Sequence, residues 1–438
     1  MPESRYITQH IITGMGHLDN LGVKNVRENA EVWKMVKKGV GYLDARLVED
    51  YEWTKKHYPN YMNEQHIGQL EIQYLYARSY FKDLPMNSKL KEAVAYYQEQ
   101  AKKYWMKFSI YTEGMIALEA HRFGIEKLPQ QVLASIKERS ILHEELGMYW
   151  KDNVGGYYWY QAPIETQALL IEAFDEVNND ETAVEDMKVW LLKQKQTTDW
   201  KTTKATAEAC YALLLKGTEL LTNDEMVEIK VAGKLIDPIA LGAKVEAGTG
   251  YFKTSWSGGD IKPEMGNVSV TRKTKGVSWG AMYWQYFEDL DKITPHETPL
   301  KLDKKLFLVK NTDSGPVMTP ITESTKLKPG DKVRVRVELR TDRDLEYVHM
   351  KDMRASSFEP VNVISRYRYQ DGLGYYESTK DASTNFFMDM VRKGTYVFEY
   401  DLRVSHYGDF SNGITTIQCM YAPEFTSHSE GIRVKIEK

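Results

Sequence analysis

Over 438 residues this chain has only two cysteines, Cys210 and Cys419. They fall in segments of different character, and a disulfide framework of the kind that staples small secreted domains is excluded. Both thiols are expected to be free and buried, acting as small apolar side chains. No apolar run is long enough to cross a bilayer. No excess of one charge is present either: 58 basic and 62 acidic residues leave a net charge of −4, without the basic bias that nucleic-acid binding favours. The opening Met1-Pro2-Glu3-Ser4-Arg5 lacks the charged-then-apolar pattern of a signal peptide, and the first amphipathic segment follows at once. The sequence therefore reads as a piece of a longer protein.

Motifs that carry chemistry are equally sparse. There is no Walker loop, no dinucleotide fingerprint, no His-Glu-x-x-His and no Cys/His cluster of zinc spacing. His10 and His17 can share a helix face, but a third metal ligand is missing, so they read as solvated or core histidines. Gly276-Val-Ser-Trp-Gly280 matches G-x-S-x-G. A nucleophile elbow needs a helix after its turn, whereas Ala281-Met-Tyr-Trp-Gln-Tyr-Phe287 alternates like a strand. Ser278 is thus expected to be a bystander.

What is present is a change of period. Before about residue 220, apolar residues recur at helical spacing, as in Ile67, Leu70, Tyr74, Ala77 and Phe81. Helices are predicted near 5–19, 26–57, 67–81, 88–107, 110–123, 129–146, 163–174, 181–195 and 203–216, with short breaks that suggest antiparallel hairpins. The stripe Ala205, Ala209, Ala212 gives one of them the second packing face that the inner helix of a toroid needs. After about 222 the period is two. Val333, Val335, Val337 and Leu339 alternate with charges, and Phe398, Tyr400, Leu402 and Val404, preceded by Tyr396, do the same. One face in and one face out is the mark of antiparallel sheets, and turns such as Pro329-Gly330-Asp331 separate the strands. The expected fold is multidomain, α then β: an incomplete α/α-toroid of helical hairpins followed by antiparallel β-sandwich domains.

Several segments resemble the bacterial α2-macroglobulin-like family, in the family's order. Arg5-Tyr-Ile-Thr-Gln-His-Ile-Ile-Thr-Gly-Met-Gly-His-Leu18 looks like the helix after the family's thioester segment. Trp190-Leu-Leu-Lys-Gln-Lys195, Trp200 and the helix at 202–215 resemble the closing hairpins of its toroid, and Val277–Tyr286 the strand pair returning from it. Lys393-Gly-Thr-Tyr-Val-Phe-Glu-Tyr400 and Met420-Tyr-Ala-Pro-Glu-Phe425 resemble its C-terminal receptor-binding-type domain. The resemblance implies a thioester-type toroid over 1–221, lacking its first helices, the remainder of a CUB-like domain over 222–297, and a terminal β-sandwich over 298–438. It further implies a non-catalytic segment of an endopeptidase inhibitor of the cell envelope, periplasmic or surface-anchored. Proteases are the partners implied for the full-length parent, and other macroglobulin-type domains of the same chain are the neighbours.

One departure matters. The family's thioester needs Cys-x-Glu-Gln, yet Cys210 is followed by Tyr-Ala-Leu and Cys419 by Met-Tyr-Ala. The Glu64-Gln65 and Glu99-Gln100 pairs have no cysteine two residues before them. No thioester, catalytic residue, metal site or cofactor is therefore assigned. The aromatic stretch Tyr149-Trp150 and Tyr157-Tyr158-Trp159 is the candidate interaction surface, with a loop folded into the toroid mouth as the plainer reading. A polysaccharide lyase, also a toroid joined to β-sandwiches, is the rival, with His143, Tyr157 and Arg139 as its conceivable groups. A carbohydrate-binding module using the aromatic loop is the third reading.

Overall fold

The computed structural model describes residues 4–215, 227–246, 250–273, 278, 280–322 and 324–438. The chain divides into two compact units, Met1–Lys193 with Trp200–Trp279 and Gln194–Asp199 with Gly280–Lys438.

The first unit begins with helices α1 (Arg5–Asn20), α2 (Asn25–Glu28), α3 (Ala30–His57), α4 (Gln69–Ser79), α5 (Ser88–Tyr104), α6 (Ile110–Arg122) and α7 (Leu128–Glu138). A small hairpin, β1 (Ile141–His143) and β2 (Gly147–Tyr149), precedes α8 (Pro163–Asn178), α9 (Glu181–Thr197) and α10 (Thr203–Leu214). Polar caps set the starts. Asn29 accepts from the Glu31 and Val32 amides at 3.0 and 3.2 Å, Asn87 from Leu90 at 2.9 Å and Thr202 from Ala205 at 3.0 Å. Pro163 opens α8, where a missing N–H costs nothing. Asn179 closes it in the left-handed conformation at φ 50°.

α1, α4, α6, α8 and α10 pack successively against one another. α3, α5 and α7 lie outside them, each against a neighbouring inner helix. The last inner helix meets the first: His17 of α1 and Tyr211 of α10 stack, and Asn20 donates to the Tyr211 hydroxyl at 3.0 Å. Gly16 permits the close approach of α1 to α4, since a Cβ there would stand 2.5 Å from the Tyr80 ring. The helix expected to run to 146 stops at Glu138, and residues 141–149 form the hairpin instead. Gly147, at φ 70°, supplies its turn geometry.

Beyond the helices, β3 (Glu228–Val231), β4 (Lys234–Leu235) and β5 (Val268–Thr271) form a three-stranded antiparallel sheet. It is thinly covered: Leu235, Val268 and Val270 are exposed. The strand expected over 281–287 is not formed. Those residues are irregular and exposed, and among the described residues no strand pairs with them. Gly276, Val277 and Trp279, and the boundary expected at 221/222, lie outside the described residues.

The second unit contains β6 (Leu300–Thr312), β7 (Gly315–Pro320), β8 (Lys332–Thr341), β9 (Leu345–Met353), β10 (Phe358–Pro360), β11 (Arg366–Gln370), β12 (Leu373–Lys380), β13 (Ser383–Val391) and β14 (Gly394–Val404). β15 (Gly408–Gly413), β16 (Thr415–Cys419), β17 (Ala422–His428) and β18 (Ile432–Ile436) complete it. A five-stranded sheet, β10-β14-β8-β6-β7, faces a six-stranded one, β11-β12-β13-β9-β16-β17, and β15 pairs with β18. The alternation of β8 is realised residue by residue: Val333, Val335, Val337 and Leu339 are buried and pair in register with Leu402, Tyr400, Phe398 and Tyr396. Phe398 packs on Phe386 and Tyr375 of the opposite sheet, at ring separations of 5.1 and 5.3 Å. Within this apolar core lies an ion pair with both side chains fully buried, Lys304 to Asp352 at 2.6 Å. Thr415 donates to the same carboxylate at 2.6 Å, Tyr400 donates to its other oxygen, and Lys304 also donates to the Met353 carbonyl at 2.8 Å.

Candidate functional site: a buried polar centre in the helical ring

The middle turns of α4, α6 and α8 are buried all round, so a charged residue there is buried too. α8 reads Ala168-Leu-Leu-Ile-Glu172-Ala-Phe174, with every one of those residues buried. Glu172 sits at the centre of a convergence of five helices. Its Oε1 accepts from Arg122 of α6 at 2.7 Å, from Tyr211 of α10 at 2.7 Å and from Tyr80, the residue that caps α4. Its Oε2 accepts from Tyr76 at 2.5 Å. His17 of α1 reaches Tyr76 through Nε2 at 3.0 Å and faces Glu208 of α10 through Nδ1 at 3.4 Å.

Burial works against the Glu172 carboxylate, but the Arg122 guanidinium, His17 and the Tyr76 and Tyr80 hydroxyls outweigh it and hold the carboxyl down at about 2. Arg122 spends its other donors on Glu176, at 2.8 and 2.6 Å, and on Ser79 at 3.2 Å. Burial raises the three tyrosines, so they stay protonated as donors. A carboxylate that takes four donors from three other helices, beside an equally committed arginine, holds those helices to one another. Its chemistry is that of a cross-brace between helices.

The aromatic stretch divides. Trp150 is core: 4 % exposed, it donates Nε1–H to the Ile136 carbonyl at 2.8 Å and packs on Phe174. Its burial removes it from any interaction surface, because the hairpin turns its indole inward. Tyr149 is half-buried on β2, and Trp159 is half-buried against Tyr6 and Tyr111. Tyr157 and Tyr158 are exposed, at 96 % and 55 %. The groups considered for a lyase do not converge. His143 Nδ1 accepts from the Glu145 and Leu146 amides at 3.1 and 3.2 Å, and Arg139 is paired with Glu113. Ser278 accepts from Arg272 at 3.0 Å. No group of three or more histidine, cysteine or acidic residues able to hold a metal occurs among the described residues, and none of their helices is long and apolar enough to cross a membrane.

Cys419 is buried as expected, but Cys210 is exposed. The stripe Ala205, Ala209, Ala212 does face the core, and Cys210, one position on from Ala209, is turned about 100° away by helix geometry.

A ring of helical hairpins followed by a two-sheet antiparallel sandwich defines a multidomain architecture, α then β. The sandwich is more specific: residues 300–424 match the family described as the bacterial alpha-2-macroglobulin MG10 domain. Over those residues the chain is similar to that domain. Solved structures to which the chain is similar include trypsin-activated alpha-2-macroglobulin of Escherichia coli, 11 % identical with a TM-score of 0.38 over 92 % of this chain and 26 % of that one. The native Escherichia coli protein from domain MG7 to the C-terminus is 10 % identical, with a TM-score of 0.30 over 100 % of this chain and 63 % of that one. Alpha-2-macroglobulin of Salmonella reacted with methylamine is 13 % identical, with a TM-score of 0.27 over 92 % and 24 %. The chain thus spans about a quarter of the first of these. A curated protein, circularly permutated Ras protein 2 of Dictyostelium discoideum, is 25 % identical over 111 residues, 25 % of this chain and 3 % of that protein.

Proposed function

We propose that the chain is a non-catalytic segment of a bacterial alpha-2-macroglobulin-like endopeptidase inhibitor of the cell envelope, one that entraps proteases by conformational change. The MG10 match over 300–424 is the observation that carries this reading. The saturated Glu172 centre supports the non-catalytic part, since its polar groups are spent on one another. The domains are a toroid over 1–221, a CUB-like remainder over 222–297 and the terminal sandwich over 298–438. The sparse cover of the β3–β5 sheet fits a domain whose other strands come from elsewhere in a longer chain. Its partners are proteases, met through the full-length parent, and further macroglobulin-type domains. Because neither cysteine stands in Cys-x-Glu-Gln, this segment supplies no thioester. Tyr157 and Tyr158 are the part of the aromatic loop left to meet a neighbour.

The test uses the full-length gene product. Limited digestion by a general protease should compact the particle in small-angle scattering and shield the protease from a large protein substrate while small peptides are still cleaved. A digest that neither compacts nor shields would end the inhibitor reading. Release of unsaturated uronate from polysaccharides would replace it with the lyase.

A further inference from the structure

The ring of inner helices closes where α10 meets α1, and hydrogen-bond counting at that seam leaves one proton to be placed. The Tyr76 hydroxyl has a single hydrogen, and Glu172 Oε2 takes it at 2.5 Å. Tyr80, 2.9 Å from the same oxygen, spends its own hydrogen on Glu172 Oε1, so the Tyr76 oxygen accepts from His17 Nε2, 3.0 Å away, which fixes a hydrogen on that nitrogen. A neutral His17 so arranged presents a bare lone pair at Nδ1. Opposite, at 3.4 Å, stands Glu208 Oε2, an acceptor too when ionised. Two acceptors facing one another in a buried seam repel, and a proton between them converts the repulsion into a hydrogen bond. The stacking of His17 on Tyr211, at 3.8 Å between ring centroids and 3° between planes, leaves the imidazole no freedom to turn away.

We infer that the α1–α10 seam is a buried proton-binding site, in which Glu208 as a carboxylic acid donates to His17 and loss of that proton loosens the seam. Burial assigns the proton to the acid: it lowers His17 to about 4 and raises Glu208 to about 8. The charged and titratable groups around the seam agree with one proton there. α1 contributes Tyr6, His10 and His17, α4 Tyr76 and Tyr80, and α6 Tyr111 and Arg122. α8 contributes Glu165, Glu172 and Glu176, and α10 Lys204, Glu208 and Tyr211. Arg122 is already shared by Glu172 and Glu176, so an ionised Glu208 adds an anion opposed by Lys204 and repelled by Glu172 and Glu165.

The sign follows from linkage. Glu208 binds its proton more tightly folded than at the ordinary value of 4.5. Its contribution is complete below 4.5 and is lost as pH rises through about 8. His17, lowered to about 4 from 6.5, works oppositely and only below 6.5, so the Glu208 effect is read above that. Glu119, a second buried acid raised to about 8 by burial, lies away from the seam and serves as the control.

The experiment is infrared spectroscopy of the full chain with carbon-13 in its glutamates, together with amide hydrogen exchange. At neutral pH the protonated-carboxyl band should shrink in both Glu208→Gln and Glu119→Gln. After correction for intrinsic rates, exchange in α1 and α10 should accelerate about tenfold or more from pH 6.5 to 9 in the parent chain, the equivalent of at least one pKa unit. In Glu208→Gln, which keeps a donor for Nδ1, that acceleration should vanish, and in Glu119→Gln it should persist. A carboxyl band indifferent to Glu208→Gln, or equal acceleration in that variant, overturns the inference. Should the variant not fold, nitrogen-15 shifts of His17 in the parent chain decide: a neutral ring protonated at Nε2 upholds it, and an imidazolium at neutral pH overturns it.

Discussion

His17 lies flat on Tyr211, the ring centroids 3.8 Å apart and the planes within 3° of parallel. The two residues come from the first and last helices of the ring, and the Tyr211 hydroxyl links the seam onward to Glu172 at 2.7 Å and back to Asn20 at 3.0 Å. Tyr211→Phe keeps the stack but strips one donor from Glu172 and leaves the Asn20 amide without its acceptor. The expected loss is about 1–3 kcal/mol in urea unfolding. Tyr211→Ala removes the stack as well and should cost about 3–5 kcal/mol. Equal losses in the two variants would mean that the hydroxyl, not the ring, holds the seam.

Glu172 gives the helical unit a distinct acid limb. Held at about 2 against an ordinary 4.5, it contributes stability that is complete above 4.5 and lost as pH falls toward 2. Glu172→Gln should flatten the acid limb of a thermal-stability profile. At neutral pH it should cost about 3–5 kcal/mol, because Arg122 is left in the core with Glu176 as its remaining anion. An unchanged acid limb would show that Glu172 does not carry this linkage.

The two thiols should separate on a native-state titration. Cys210 is exposed and should react promptly with a bulky aromatic disulfide reagent. Cys419 is fully buried, places its Sγ 3.3 Å from the Glu346 carbonyl and is raised by burial above its ordinary value, so it should react only on unfolding. Two fast thiols, or none, would contradict the burial assigned to one of them.

The terminal sandwich offers a test of register. Phe398→Ala opens a cavity against Phe386 and Tyr375 and should cost about 3–5 kcal/mol. Glu399→Ala, on the solvent face where its carboxylate meets Arg336 at 2.6 Å, should cost about 1 kcal/mol or less. Residues 298–438 expressed alone should unfold cooperatively by calorimetry, since the core from Leu300 to Ile436 is built from their own side chains. A non-cooperative melt would move the proposed boundary.

The Lys304–Asp352 pair should behave as a buried ion pair does. Asp352→Ala, which leaves the ammonium unpaired, should cost about 3–5 kcal/mol in chemical denaturation. Replacing both residues by apolar ones of similar volume should cost far less, and a double variant as damaged as the single one would show that the attraction itself is the larger effect.

Much of this was legible in the sequence. Helical spacing placed α1, α3, α4, α5, α6, α9 and α10 to within a few residues, because each carries apolar residues recurring at the helical period. Strict alternation placed β8 and β14, whose inward rows pair in register. The 129–146 segment misled because its apolar residues suit a helix, while the turn at Gly147 and the inward Trp150 favour a hairpin. The segment 281–287 misled for the opposite reason: alternation marks a face, but a strand exists only where a neighbour takes its hydrogen bonds.

The polar centre left one local trace, a single glutamate in the apolar run of α8, with Tyr76 and Tyr80 one turn apart on α4 and Glu208 and Tyr211 on α10. Sequence spacing states which residues share a helix face, yet the apolar stripes read from it, Ile67, Leu70, Tyr74, Ala77 and Phe81 on α4 and Ala205, Ala209 and Ala212 on α10, left these groups out. Which of them meet was decided only by the closing of the ring. His17 and Tyr211 are 194 positions apart (211 − 17), and nothing local to either encodes the other. The tertiary structure brought five helices to one carboxylate, and burial there, not residue type, set Glu172 down at about 2 and Glu208 up at about 8. Ionisation follows the surroundings of a group, and those surroundings exist only in the folded chain.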